Sequence, residues 1–145
     1  MKYDDDVIEL IERRLSGEAV DLPLSGDDDG AAPDVVARIL RTASVQEALG
    51  AGAARKAEDF EGVSLSITDV TFRESDYGDG VGLYVLIECF PAGAEVPVTI
   101  SCGAANVVAQ CLVAVREGDL PFVAKLRKSD RPTKAGYYVW WLVGV

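Results

Sequence analysis

The spacing of apolar residues changes from a helical to a strand-like period at about residue 63. A first helix is predicted after a run of aspartates and ends before Gly17. Further helices are predicted from Pro33 and from Ser44, after a polar linker over 21–32. The apolar positions of the first helix are Val7, Leu10, Ile11 and Leu15. We interpret residues 1–62 as an acidic helical N-terminal extension with a linker.

Beyond residue 63 the apolar residues alternate, as they do in strands that bury one face. A shift in this alternation at Asp69 indicates a bulge in the first strand, and a helical pattern ended by Gly118 separates the third strand from the fourth. The predicted strands are 63–72, 83–90, 96–100, 121–126 and 137–143. This β-β-β-α-β-β order is that of an OB-fold, a five-stranded barrel plugged by its helix. We therefore predict an OB-fold-like barrel over 63–145, in a chain that is mainly β and α+β overall.

Composition narrows the possible functions of this 145-residue chain. It contains no histidine, the commonest general base and neutral metal ligand, so catalysis is not expected. No apolar run is long enough to span a bilayer, and the N-terminus is acidic, so we expect neither a membrane anchor nor a signal peptide. The sequence predicts an intracellular protein.

The three cysteines lie at positions 89, 102 and 111, all in apolar surroundings. They form no C-x-x-C pair, and we interpret them as buried, reduced thiols. Cys102 directly precedes the predicted helix over 107–115, where the pKa of a thiol can be lowered. A nucleophilic role for Cys102 is disfavoured because no histidine is present to serve as its base.

Four carboxylates surround the predicted loop between the first two strands, and they are Asp69, Glu74, Asp76 and Asp79. Their spacing does not follow that of a calcium-binding loop, which also ends in a bidentate glutamate. We therefore interpret them as solvated acidic side chains. The sequence predicts no metal site and no cofactor.

Charge is distributed unevenly along the chain. Residues 1–62 carry 7 cations and 15 acids, whereas residues 120–145 carry five cations and one acid, a net charge of +4. A basic patch can contact a polyanion even on a protein with a net charge of −10. The last loop of the predicted barrel supplies most of these cations, and aromatic residues flank it.

OB-folds bind oligonucleotides across their second and third strands, flanked by the loops between strands 1–2 and 4–5. On this basis the predicted nucleic-acid-binding residues are Arg73, Tyr77, Tyr84, Lys125, Arg127, Lys128, Arg131, Lys134, Tyr138 and Trp140. Strand alternation leaves open whether Tyr137 and Trp141 or Tyr138 and Trp140 belong to the core. An ordinary solvated basic loop beside core aromatics is the alternative interpretation.

Residues 65–77, 100–110, 120–121 and 131–137 resemble small proteins encoded by actinobacterial bacteriophages. Their layout is similar to that of phage single-stranded-DNA-binding OB-fold proteins, and the resemblance extends from about Ser44 to the C-terminus. Such proteins commonly carry an acidic C-terminal tail. In this sequence the acidic segment lies at the N-terminal end instead.

The resemblance implies a non-catalytic protein that binds single-stranded DNA, or RNA, in replication or recombination, in the cytoplasm of an infected bacterium. The predicted N-terminal helices would join copies of the chain into a homo-oligomer. The alternative is a protein-interaction or virion-associated assembly module that uses the same barrel without binding nucleic acid. Its net charge of −10 would keep such a module away from polyanions.

Overall fold

The computed structural model describes residues 3–24, 40, 54–74, 82–136 and 138–145. Helix α1 spans Asp5–Leu15 and helix α2 spans Ala105–Glu117. The strands are β1 (Ala54–Lys56), β2 (Ser64–Glu74), β3 (Leu83–Pro91), β4 (Val98–Cys102), β5 (Phe122–Lys128) and β6 (Trp140–Gly144). A 3-10 turn, Ala57–Phe60, follows β1. Across these ranges no helix has both the length and the apolar character needed to cross a membrane.

The six strands form one open mixed sheet in the order β1-β4-β3-β2-β5-β6. Strand β1 is parallel to β4, and every other pair of neighbours is antiparallel. The predicted order of elements after residue 63 is confirmed, from β2 to β6 with α2 between β4 and β5. The predicted bulge is confirmed as well, since the register of β2 against β3 shifts between Ile67 and Asp69.

The predicted closed five-stranded barrel is wrong. Closure would require the β5–β6 side of the sheet to pair with the β4 side. Strand β1, from the segment interpreted as an N-terminal extension, pairs with that side of β4 instead. The sheet therefore has two edges, formed by β1 and β6, and the described fold is an α+β arrangement with helices on one face.

The core lies between that face, called the inner face here, and the two helices. Strand β2 contributes Leu65 and Ile67 before its bulge and Val70 and Phe72 after it, each at most 1% exposed. Helix α2 buries an apolar stripe against the sheet, and its chain turns at Gly118 in the left-handed conformation that favours glycine. The stripe consists of Val107, Val108, Cys111, Leu112 and Val115. These contacts make α2 the main cover of the inner face.

Helix α1 packs into the same core. Its Ile8 and Ile11 are 4% and 0% exposed and belong to the apolar cluster that includes β2 and α2. The Arg116 guanidinium on α2 lies 3.0 Å from the Glu12 carboxylate on α1. The first predicted helix is therefore confirmed as a helix, and it packs on the sheet domain of its own chain. The helices predicted from Pro33 and Ser44 lie outside the described residues, apart from Leu40.

Side chains form hydrogen bonds with backbone groups at the β6 edge of the sheet and on the part of β2 that is not paired with β5. At the β6 edge, the Gln110 amide donates to the Leu142 carbonyl and accepts from the Leu142 N–H, each at 2.8 Å. Strand β2 extends past the residues that pair with β5. In this part of β2, two backbone N–H groups donate to side-chain oxygens. The Val70 N–H donates to Asp69 Oδ1 at 2.9 Å, and the Phe72 N–H donates to the Tyr3 hydroxyl at 2.9 Å. Such contacts oppose pairing with a further strand.

We expect Gln110→Ala to lower the free energy of unfolding by roughly 2 kcal/mol, at about 1 kcal/mol for each lost hydrogen bond to Leu142. Urea denaturation followed by circular dichroism measures this loss. Asn106→Ala is the matched control, because Asn106 is exposed on the same helix. Equal stability of the two variants would show that the amide of Gln110 does not hold the β6 edge.

Candidate functional site

The last two strands and their connection form a hairpin that carries five cations. We call β5, residues 129–139 and β6 the basic hairpin; its cations are Lys125, Arg127, Lys128, Arg131 and Lys134. Ser129 closes the connection, since its N–H donates to the Val139 carbonyl at 2.8 Å and its hydroxyl accepts from the Val139 N–H at 3.0 Å. The Ser129 hydroxyl also donates to the Arg131 carbonyl at 2.9 Å. These bonds place the exposed residues 130–136 directly beyond the end of β5.

Most cations of the basic hairpin have no acidic neighbour. Considering only the described residues, Lys125, Lys128, Arg131 and Lys134 have no carboxylate oxygen within 4.0 Å. Of the six cations elsewhere in the described ranges, four form ion pairs: Arg13–Glu18, Arg14–Glu74, Arg55–Asp59 and Arg116–Glu12. Uncompensated positive charge is therefore concentrated on this hairpin, within an otherwise acidic protein.

Arg127 is the one hairpin cation with a described carboxylate nearby. Its Nη1 lies 3.9 Å from Glu61 Oε2, and the Arg127 side chain is 55% exposed. An exposed pair at this separation contributes little free energy, so an incoming anion can compete with Glu61 for Arg127.

Two aromatic rings lie beside Lys128 at the end of β5. The Lys128 ammonium is 4.8 Å from the Tyr138 ring centroid and 5.9 Å from the centroid of Trp140, both within the range of cation–π attraction. Tyr138 is 44% exposed, whereas Trp140 packs against the core. The structure thus brings three predicted site residues together, with Tyr138 as the more accessible ring.

The structure also settles which face of the last strand is core. Trp140 packs against the core and Leu142 is 7% exposed, so both lie on the inner face. Trp141 lies on the opposite, outer face, directly across from Arg127 in the β5–β6 register. The predicted site residues therefore include the tryptophan on the core side, Trp140, and not the one on the outer face, Trp141. In the structure, the burial of Leu142 shows which face of β6 is core. The sequence alone does not show this, because Val143 makes the opposite face of the strand equally apolar.

Lys125 and Arg127 occupy the outer face of β5, as predicted. Their neighbours Ala124 and Leu126 are 4% and 0% exposed and point into the core. Tyr84 on β3 also lies on the outer face as predicted, since Leu83 and Val85 on either side of it are buried. The alternation of apolar and polar residues was sufficient to place these three side chains.

Arg73 and Tyr84 do not join the basic hairpin. They face each other across β2 and β3, but Lys125 pairs with Ser64 at the other end of β2. Nine positions along a strand separate Arg73 from Ser64 by roughly 25–30 Å. Asp69 and Glu88, which pair across β2 and β3, lie between. The outer face between Arg73 and Tyr84 at one end and the basic hairpin at the other is thus interrupted by acidic residues.

The expectation that Arg73 lies in an exposed loop is wrong. Arg73 lies within β2, which continues to Glu74, and is only 3% exposed. Tyr77 and the carboxylates Asp76 and Asp79 lie outside the described residues, as does Tyr137. The site that the structure supports is consequently restricted to the basic hairpin.

The three cysteines are free and buried, which confirms the prediction that their thiols are buried. Burial raises the pKa of Cys89 and of Cys111 to about 12. It also raises the pKa of Cys102, although a backbone hydrogen bond from Ala104 opposes this. Cys102 does stand between β4 and α2, but its thiol is held in the protonated form that is not nucleophilic.

No group of three or more potential metal ligands occurs among the described residues. Two of the carboxylates considered in the sequence analysis have other contacts. Asp69 accepts the Val70 N–H, and the Glu74 carboxylate lies 3.6 Å from the Arg14 guanidinium. Comparison of the chain with the models of known protein families, with curated proteins and with solved structures finds no match.

Proposed function

We propose that this protein is a non-catalytic single-stranded nucleic-acid-binding protein, with DNA as the first candidate and RNA as the second. The observation that carries the proposal is the concentration of cations without a described carboxylate partner on the basic hairpin, next to the accessible ring of Tyr138. Cations hold the phosphate backbone, and aromatic rings stack on the bases of an unpaired strand. The net charge of −10 does not prevent this, because the local potential governs contact.

The biological setting proposed for this activity rests on the sequence resemblance alone. It comprises replication or recombination of a bacteriophage genome in the cytoplasm of the host. A homo-oligomer formed through the N-terminal helices is part of the same proposal, although α1 uses Ile8 and Ile11 within its own core. Light scattering on the full chain during size exclusion tests the oligomer. The assembly-module alternative receives no separate support from the described residues.

Binding of fluorescein-labelled oligo-dT to the full chain, followed by anisotropy, tests the proposed function. If Lys125, Lys128, Arg131 and Lys134 each contact one phosphate, the logarithm of the affinity should fall against the logarithm of salt with a slope of about −3. Raising the salt from about 50 to about 200 mM should therefore weaken binding by about 50-fold. An absence of binding at micromolar protein in low salt would refute the proposal.

A further inference from the structure

On the outer face of the β5–β6 pair, two cations lie beside apolar side chains that are exposed or partly exposed. We call this group the outer strip; it consists of Val123, Lys125, Arg127, Trp141 and Val143. Arg127 lies across from Trp141, and Lys125 lies across from Val143. Val123 is 53% exposed. Helix α2 lies on the inner face of the same strands, held there by Gln110 and its apolar stripe, so α2 does not cover the outer strip.

We infer that the outer strip is the base-contacting surface of this protein and that Trp141, not Trp140, is its stacking ring. This inference rests on the proposed function and specifies the occupant of the strip as an unpaired nucleic-acid strand. The charge of the strip complements a phosphate backbone through Lys125 and Arg127. Its apolar members match the faces of bases, which an unpaired strand exposes and a duplex keeps stacked inside.

The arrangement of the cations supports an extended strand as occupant. Lys125 and Arg127 are two positions apart on one strand of the sheet, so their backbones are about 7 Å apart and their side chains point the same way. Trp141 lies beside this row on the neighbouring strand, where a ring can stack on a base while the row contacts phosphates. Glu61 near Arg127 is the described carboxylate that a phosphate must displace.

The two tryptophans of the chain allow a direct test, because stacking on a base changes tryptophan fluorescence. Full-length Trp140→Phe retains only Trp141, and full-length Trp141→Phe retains only Trp140. Each is titrated with an unlabelled dT oligonucleotide of about 12 nucleotides, within the usual site size of such proteins. Anisotropy of the labelled oligonucleotide reports binding independently, and circular dichroism reports folding.

We expect quenching in Trp140→Phe and none in Trp141→Phe, while both variants bind, because phenylalanine can still stack. Trp141→Ala should weaken binding by about 5- to 150-fold with an unchanged salt slope, since stacking releases no counterions. A duplex of the same length should bind more weakly than the single strand.

Each opposite outcome has a definite meaning. If quenching occurs in the variant that retains only Trp140, the inference is overturned and the proposed function stands. The same holds if Trp141→Ala binds as tightly as the wild type. Displacement of dT by polyglutamate of equal charge, with the same fluorescence change, would make the strip a site for acidic peptides and would also overturn it. Absence of wild-type binding by anisotropy removes the proposed function and the inference together.

Discussion

Replacing Lys125, Arg131 and Lys134 together by alanine is expected to lower the affinity for oligo-dT by about 10²- to 10³-fold at about 50 mM salt. Each of the three cations has no carboxylate partner within the described ranges, so each is available for a phosphate. A single strand releases about 0.7 counterions per phosphate contact, so the slope of log affinity against log salt should be shallower than that of the wild type by about 2. Anisotropy titrations at several salt concentrations measure both quantities.

A matched control removes the same charge elsewhere. Replacing Arg13, Arg55 and Arg116 by alanine gives the same net charge, but these arginines lie on α1, β1 and α2. Each forms an ion pair on the protein surface, which contributes little to stability. We expect this control to bind almost as the wild type does. Equal losses in the two triple variants would mean that net charge, and not the basic hairpin, determines binding.

Stability is expected to fall steeply above pH 9. Burial raises the pKa of Cys89 and of Cys111 from 9.0 to about 12, with a smaller contribution from Glu88 at Cys89. Because both thiols ionise more readily in the unfolded chain, their contribution to stability is complete below pH 9 and is lost as the pH approaches 12. Each thiol that ionises only in the unfolded state removes about 1.4 kcal/mol per pH unit.

Urea denaturation at pH 8, 9, 10 and 11 in the presence of a reductant measures this dependence. The double variant Cys89→Ala, Cys111→Ala should be less stable at pH 8 because it leaves cavities, yet its stability should fall less between pH 9 and pH 11. All other side chains are the same in the two proteins and so do not affect the comparison. Parallel pH profiles of the wild type and the double variant would contradict the prediction.

The periodicity of apolar residues was sufficient to predict strands β2 to β6 and helix α2, because each of these patterns depends only on neighbouring residues. The bulge at Asp69 and the turn at Gly118 arise from neighbouring residues and were predicted correctly. Barrel closure depends instead on which strand joins the edge of β4. Strand β1 has three residues, all with exposed side chains, so it carries no alternation of apolar and polar positions that could predict it.

In the candidate site, too, local patterns placed some side chains correctly and left others undecided. Lys125 and Arg127 alternate with buried neighbours, so their side of β5 follows from the sequence. Trp140 and Trp141 are adjacent aromatics in an apolar strand, so a period of two fits either face, and only packing against α2 and β5 decides between them. Arg73 was misplaced because β2 continues two residues beyond the predicted end of its alternation.

The position of α1 has a consequence for the order in which the chain can fold during its synthesis. Tyr3 contacts Phe72, which is 69 residues later, and Glu12 contacts Arg116, which is 104 residues later. Helix α1 therefore leaves the ribosome before either of these partners. The entropy cost of closing such loops grows slowly with length, whereas contacts between distant residues slow folding. Helix α1 cannot complete its native contacts until α2 has emerged.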